Sequence, residues 1–135
     1  MRIHVQNERC RECEACGLAC SLYHEGECSL SLARLLVTKN MARYEFEIQI
    51  CRHCESPKCQ QACPTGAMQA DERGVLLIVD ADCTRCGSCA ASCPYGAIFH
   101  EEAHDRYLKC DLCAGNEKGP LCVALCAVEA LTLGD

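Results

Sequence analysis

This chain of 135 residues has no tryptophan, two phenylalanines and four tyrosines. Leu, Ile, Val and Phe together make up about a fifth of it, with 16 alanines as the other main apolar component. So few large side chains cannot build a self-sufficient core, and cross-links of some kind are needed to hold the shape. The longest aliphatic run is VLLIV at 75–79, far too short to span a bilayer, so no direct membrane insertion is expected. MRIHVQNERC at the start lacks the apolar stretch and small-residue cleavage site of a secretory signal. A cytoplasmic protein is therefore expected, unless it travels bound to an exported partner. Net charge is −6 with the acidic residues scattered, which disfavours nucleic acid as a partner. No nucleophile–base pair, carboxylate dyad, phosphate loop or dinucleotide glycine pattern is visible, so no catalytic residue is named and a non-enzyme is expected.

Seventeen cysteines are present, well above the roughly 8–10% that marks a cysteine-built scaffold. An odd count, no secretory signal and repeated CxxC pairs argue against disulfides and for metal or redox chemistry. Sixteen of the cysteines fall into four groups. The first is CRECEACGLAC (Cys10, Cys13, Cys16, Cys20) and the second CRHCESPKCQQACP (Cys51, Cys54, Cys59, Cys63). The third is CTRCGSCAASCP (Cys83, Cys86, Cys89, Cys93) and the fourth CDLCAGNEKGPLCVALC (Cys110, Cys113, Cys122, Cys126). Each places three cysteines close together and a fourth four residues after the third. The following residues repeat as well, as CPTGAM, CPYGAI and CAVEAL, which marks an internal repeat. The first group departs from this, continuing as CSLYHEGEC.

Between the groups the pattern is one of short strands. RYEFEIQI alternates, with Tyr44, Phe46, Ile48 and Ile50 on one face and Glu45, Glu47 and Gln49 on the other. ARLLVT at 33–38 is its expected hairpin partner. AMQADERGVLLIVD and AIFHEEAHDRYLK each read as a further hairpin. GSCAAS and GLA, before the last cysteines of their groups, suit single helical turns. The fold class expected is α+β, with short antiparallel ribbons and short helices wrapped around metal centres.

Three thiolates at C-x2-C-x2-C can curl around one face of an iron–sulfur cube but cannot reach its opposite corner. C-x2-C-x2-C-x3-C-P is the established spacing of bacterial ferredoxins, in which the fourth cysteine serves the other cluster. A proline after it ends the helical turn. Structural zinc needs only four ligands, usually as two separated knuckles. The fourth group could serve zinc, whereas the three-cysteine loop of the third is excessive for it. Four groups of four cysteines match four 4Fe-4S clusters.

CRHCESPKCQQACPTGA and YLKCDLC resemble the electron-transfer subunits of molybdenum, tungsten and nickel oxidoreductase complexes. Within that superfamily, CEACGLACSLYHEGECSLSLARLLV is similar to the small iron–sulfur partners of tungsten aldehyde oxidoreductases. The resemblance implies a nested, tandem ferredoxin-like (polyferredoxin) fold in one domain over 1–135. An inner two-cluster unit spans 51–103, and an outer one combines 1–50 with 104–135. It also implies four ligand sets. Cys10, Cys13 and Cys16 would take Cys126, and Cys110, Cys113 and Cys122 would take Cys20. Cys51, Cys54 and Cys59 would take Cys93, and Cys83, Cys86 and Cys89 would take Cys63. The implied role is a non-catalytic electron wire in an anaerobic setting. It would run between a large catalytic subunit and a second redox subunit or carrier, with self-association possible. A free polyferredoxin shuttle and a zinc-stabilised interaction module are the alternatives.

Cys28 stands outside the groups and reads as a plain thiol. His24, His53, His100 and His104 lie at no ligand spacing, and His53 is expected to face solvent. Lys58 and Lys109 adjoin cluster cysteines, where a cation would raise a cluster's potential; the plainer reading, a surface lysine, is preferred for both. Gly66, Gly87 and Gly96 are expected to bring backbone N–H groups close to sulfur.

Overall fold

The structure, a computed structural model, describes residues 2–134. The fold is α+β. Among the described residues, eight short strands pair as four two-stranded antiparallel sheets, accompanied by four α-helices.

Three sheets are the hairpins read from the sequence. β2 (Leu35–Asn40) pairs with β3 (Glu45–Ile50), β4 (Met68–Ala70) with β5 (Leu76–Ile78), and β6 (Ile98–Glu101) with β7 (Arg106–Lys109). In β3 the alternation holds: Phe46, Ile48 and Ile50 are buried while Glu45 and Glu47 are exposed. Tyr44 does not join that face. It lies in the turn at φ 54 and is 66% exposed, its ring meeting Phe46 edge-on. The Asp71 carboxylate closes the β4–β5 turn by accepting the N–H groups of Arg73 and Val75 at 2.8 and 3.0 Å.

The fourth sheet joins the two ends of the chain. β1 (Arg2–Val5) runs antiparallel to β8 (Leu131–Gly134), with Val5 opposite Leu131 and Ile3 opposite Leu133. Ile3 and Leu131 are each only 1% exposed, so this ribbon is part of the core.

α2 (Lys58–Ala62), α3 (Ser88–Ser92) and α4 (Leu121–Leu125) are single turns, as GSCAAS predicts. α1 (Ala15–Glu25) is longer than the one turn expected around GLA. No proline follows Cys20, so the helix continues until Gly26, whose left-handed φ of 76 lets its N–H donate back to the Leu22 carbonyl at 3.0 Å. α1 packs on α4, and α2 on α3. Glu25 at the end of α1 accepts hydrogen bonds from Arg34 (3.1 Å) and Arg106 (2.8 Å), and Arg106 Nε also donates to Glu101 at 2.8 Å. These bonds tie α1 to the β6–β7 hairpin.

The core mixes aliphatic side chains with sulfur. Ile3, Leu35, Ile48, Ile50 and Leu131 form one cluster with Cys10, Cys20, Cys51, Cys110 and Cys122. The thin apolar inventory is thus completed by thiols.

Candidate functional site

The cysteine repeat is also a backbone repeat. In each group the residue two places after the first cysteine is left-handed: Glu12 (φ 56), His53 (φ 49), Arg85 (φ 60) and Leu112 (φ 55). The twist turns the backbone inward. The N–H groups of His53, Arg85 and Leu112 donate to Sγ of Cys51, Cys83 and Cys110, each at 3.4 Å. A second motif follows the last cysteine. Ala67 and Ala130 donate their N–H groups to Sγ of Cys63 and Cys126, both at 3.3 Å. Ala67, Ala97 and Ala130 are essentially unexposed, which is why each copy ends in alanine. Cys20, which lacks this following motif, accepts instead from the Arg34 N–H at 3.2 Å. Such bonds stabilise thiolate and cluster sulfur alike.

The residue before each of these alanines is left-handed too: Gly66 (φ 68), Gly96 (φ 58) and Glu129 (φ 53). A side chain in that region costs roughly 1–2 kcal/mol, and only Glu129 bears it. Its N–H donates to the Cys126 carbonyl at 3.1 Å, as a glycine there also would, and its side chain makes a long, exposed ion pair with Arg9 at 3.8 Å, a type that contributes little. Glu129→Gly is therefore expected to stabilise the folded protein by about 1 kcal/mol, read as a higher melting temperature under anaerobic calorimetry.

The sulfurs gather across the chain. Burial pushes the Cys16 thiol up to about 11, and the sulfurs of Cys13, Cys10 and Cys126 add to the effect. These four thiols therefore lie together, although Cys126 is far away in sequence. Burial raises Cys59 as well, with Cys51 and Cys93 as its sulfur neighbours. Cys89, raised by burial, feels Cys83 and then Cys59, while Cys86 feels Cys63. Burial raises Cys122 above the ordinary thiol range, with Cys110, Cys113, Cys20 and Cys16 contributing. Cys110, pushed up to about 12 by burial, feels Cys51 and Cys20.

Two of the sets line cavities. Cys51, Cys54, Cys59 and Cys93 border one, together with His53 and Lys109. Cys20, Cys110, Cys113 and Cys122 border another, together with His24 and Leu112. Among the described residues no three Cys, His, Asp or Glu side chains converge on a point suited to one metal ion. Cysteines of both sets line these spaces, and a multi-iron cluster takes its ligands from several cysteines around it. The fit extends to the cavity wall. Among the described residues both ring nitrogens of His53 are buried without a hydrogen-bond partner, and His53 lines the cavity of Cys51, Cys54, Cys59 and Cys93, where an acceptor would satisfy its one ring N–H. Burial holds Cys16, Cys59, Cys89, Cys110, Cys113 and Cys122 against ionisation, whereas hydrogen bonds from the Ala67 N–H and Thr65 bring Cys63 down to about 7; bound iron would supply the positive charge that lets the thiols of a set ionise together.

Two residues differ from the sequence expectation. His53 turns into the protein, and burial pushes its ring down to about 4. Lys109 is 7% exposed, not a surface lysine; Lys58 is exposed, as expected. The motif YLKC places Lys109 in β7 immediately before Cys110, on a strand whose second half is buried, and that was the available signal.

His24 also enters the site, bridging Cys20 and the fourth group. Its Nδ1 donates to the Cys20 carbonyl at 2.8 Å and its Nε2 to Asp111 at 2.7 Å. Burial opposes protonation, but these acceptors outweigh it and hold the ring charged, with its pKa raised to about 9. His100 and His104 pair with Asp105 and Glu101 on the outer hairpin. Cys28 is exposed, and no sulfur set includes it.

Similarity to known proteins agrees with this geometry. The model of the 4Fe-4S dicluster domain matches residues 42–135. The sequence is 32% identical to the B subunit of the anaerobic dimethyl sulfoxide reductase of Escherichia coli K12, over 96% of this protein and 71% of that one. It is 36% identical to the uncharacterized ferredoxin-like protein YdhX of Escherichia coli O157:H7, over 98% and 63%. It is 30% identical to the thiosulfate reductase electron transfer subunit PhsB of Salmonella typhi, over 94% and 71%. Among solved structures it resembles a subunit of the active site complex BamBC of benzoyl coenzyme A reductase with bound benzoyl-CoA. There the TM-score is 0.59 and the identity 30%, covering 96% of this protein and 76% of that one. With its repeated cysteine loops, sulfur-lined cavities and a family match over most of its length, this chain belongs to the 4Fe-4S dicluster domain family.

Proposed function

We propose that this protein is the electron-transfer subunit of an oxidoreductase complex and holds four 4Fe-4S clusters in a row. One observation carries this reading: each sulfur set lies within electrostatic reach of the next. Cys16 of the first set neighbours Cys122 of the second, Cys110 neighbours Cys51 of the third, and Cys59 neighbours Cys89 of the fourth. A path therefore runs from the outer unit, formed by 1–50 and 104–135, into the inner unit at 51–103. The packing of α1 on α4 and of α2 on α3 supports that division.

Each cluster, when bound, supplies one reversible electron. The chain's own residues do the rest. Backbone N–H groups of His53, Arg85, Leu112, Ala67 and Ala130 point at sulfur and stabilise added negative charge.

Relatives that are subunits of dimethyl sulfoxide reductase and thiosulfate reductase support a large catalytic partner for this protein too. The similarity of CEACGLACSLYHEGECSLSLARLLV to the small subunits of tungsten aldehyde oxidoreductases favours a tungsten, aldehyde-oxidising partner in the cytoplasm of an anaerobe. No helix among the described residues is long and apolar enough to cross a membrane.

Anaerobic purification of the tagged protein from its native host, with metal and sulfide analysis, tests all of this. The expected result is about sixteen irons and sixteen sulfides per molecule, with a large tungsten-containing subunit in stoichiometric amount. Iron and sulfide without a stoichiometric partner would make it a free carrier. Zinc in place of iron would overturn electron transfer.

A further inference from the structure

Lys109 ends β7 with its side chain directed inward. It is 7% exposed, and its Nζ donates to the carbonyls of Leu76 at 2.6 Å and Cys110 at 3.3 Å. Among the described residues it makes no ion pair. A buried ammonium satisfied only by neutral carbonyls is expensive unless an anion lies nearby. The cavity it borders is the one lined by Cys51, Cys54, Cys59 and Cys93.

We propose that Lys109 is the positioning charge that raises the reduction potential of the centre held by Cys51, Cys54, Cys59 and Cys93 above those of its neighbours. This rests on the electron-transfer reading given above. The step it would bias moves one electron, an adjacent iron–sulfur centre being oxidised by one and this centre reduced by one, with no bond broken. This centre would then hold an arriving electron where the outer and inner units meet. Arg52, half-buried, and Lys58, exposed, also line this cavity, and Lys109 is the buried cation among the three; the cavity of Cys20, Cys110, Cys113 and Cys122 is lined by His24 and Arg34 instead.

The test uses the complete protein as purified anaerobically, wild type beside Lys109→Met, Lys109→Gln and Lys109→Arg. Iron and sulfide are measured first, and each preparation is then titrated with mediators and followed by electron paramagnetic resonance. In both neutral variants one of the waves is expected to shift so that, at fixed potential, its reduced-to-oxidised ratio falls at least tenfold. That corresponds to 59 mV for a one-electron couple. The remaining waves should shift less, and Lys109→Arg should stay within twofold of wild type. Unchanged waves in a fully loaded neutral variant would overturn the proposal. So would failure of both neutral variants to take up iron, since Lys109 would then serve folding alone. Absence of iron from the wild type would instead defeat the electron-transfer reading itself, and is seen before any titration begins.

Discussion

Removal of iron under anaerobic chelation should abolish the cooperative thermal transition of this protein. A domain of this size has a net stability of about 5–15 kcal/mol, and the expected loss is all of it. The reason lies in the core. Cys10, Cys20, Cys51, Cys110 and Cys122 share the central cluster with a small number of aliphatic side chains. The four sheets are two-stranded, and such ribbons are marginal alone. Three of the four helices are single turns, too short to persist without packing. Left-handed residues such as His53, Arg85 and Leu112 add strain that bonded sulfur must offset. Circular dichroism during heating checks this directly. A sharp melt in protein shown to be iron-free would refute the dependence.

The second large effect concerns which cysteines act together. Cys63→Ser should remove about four of about sixteen irons. Combining it with Cys83→Ser should remove no more, because both would serve one cluster. Combining it with Cys59→Ser should remove about eight irons, because those two cysteines, though only four residues apart, would serve different clusters. Such non-additivity is the signature of shared partners. The opposite pattern, additive with Cys83 and non-additive with Cys59, would mean that each group closes on its own cluster. The proximity of Cys63 to Cys86, and of Cys59 to Cys51 and Cys93, favours the crossed result. Cys28→Ser serves as the control and should leave the iron content unchanged, as its exposed position outside every set requires.

Much of this architecture was legible because it is local. The three hairpins follow from alternation within a dozen residues, and the cysteine groups announce themselves by spacing. The β1–β8 ribbon could not be read that way. RIHV and LTLG are four residues each, and what makes them strands is a partner at the other end of the chain. Tyr44 fits the alternation of RYEFEIQI by type, but the turn claims it first. Glu12, His53, Arg85, Leu112 and Glu129 occupy left-handed positions where glycine would be expected; at His53, Arg85 and Leu112 a sulfur acceptor for the N–H accompanies that conformation. Lys109 illustrates a further limit. Its burial depends on the hairpin carrying Leu76, whose carbonyl it meets from 33 residues away.

The pairing of β1 with β8 also governs the order in which the molecule can be assembled during synthesis. When the ribosome has added Cys93, every cysteine of the second and third groups has been made, and under the proposed pairing that half would be able to close around its clusters. The first strand and Cys10, Cys13 and Cys16 have to wait in the nascent chain until residues 126–134 follow. Until then Ile3 has no opposite strand and the earliest thiols stand open to oxidants and to degradation. With the ligand pairing proposed above, maturation is expected to run from the middle outwards, with the joining of the two ends as its last act.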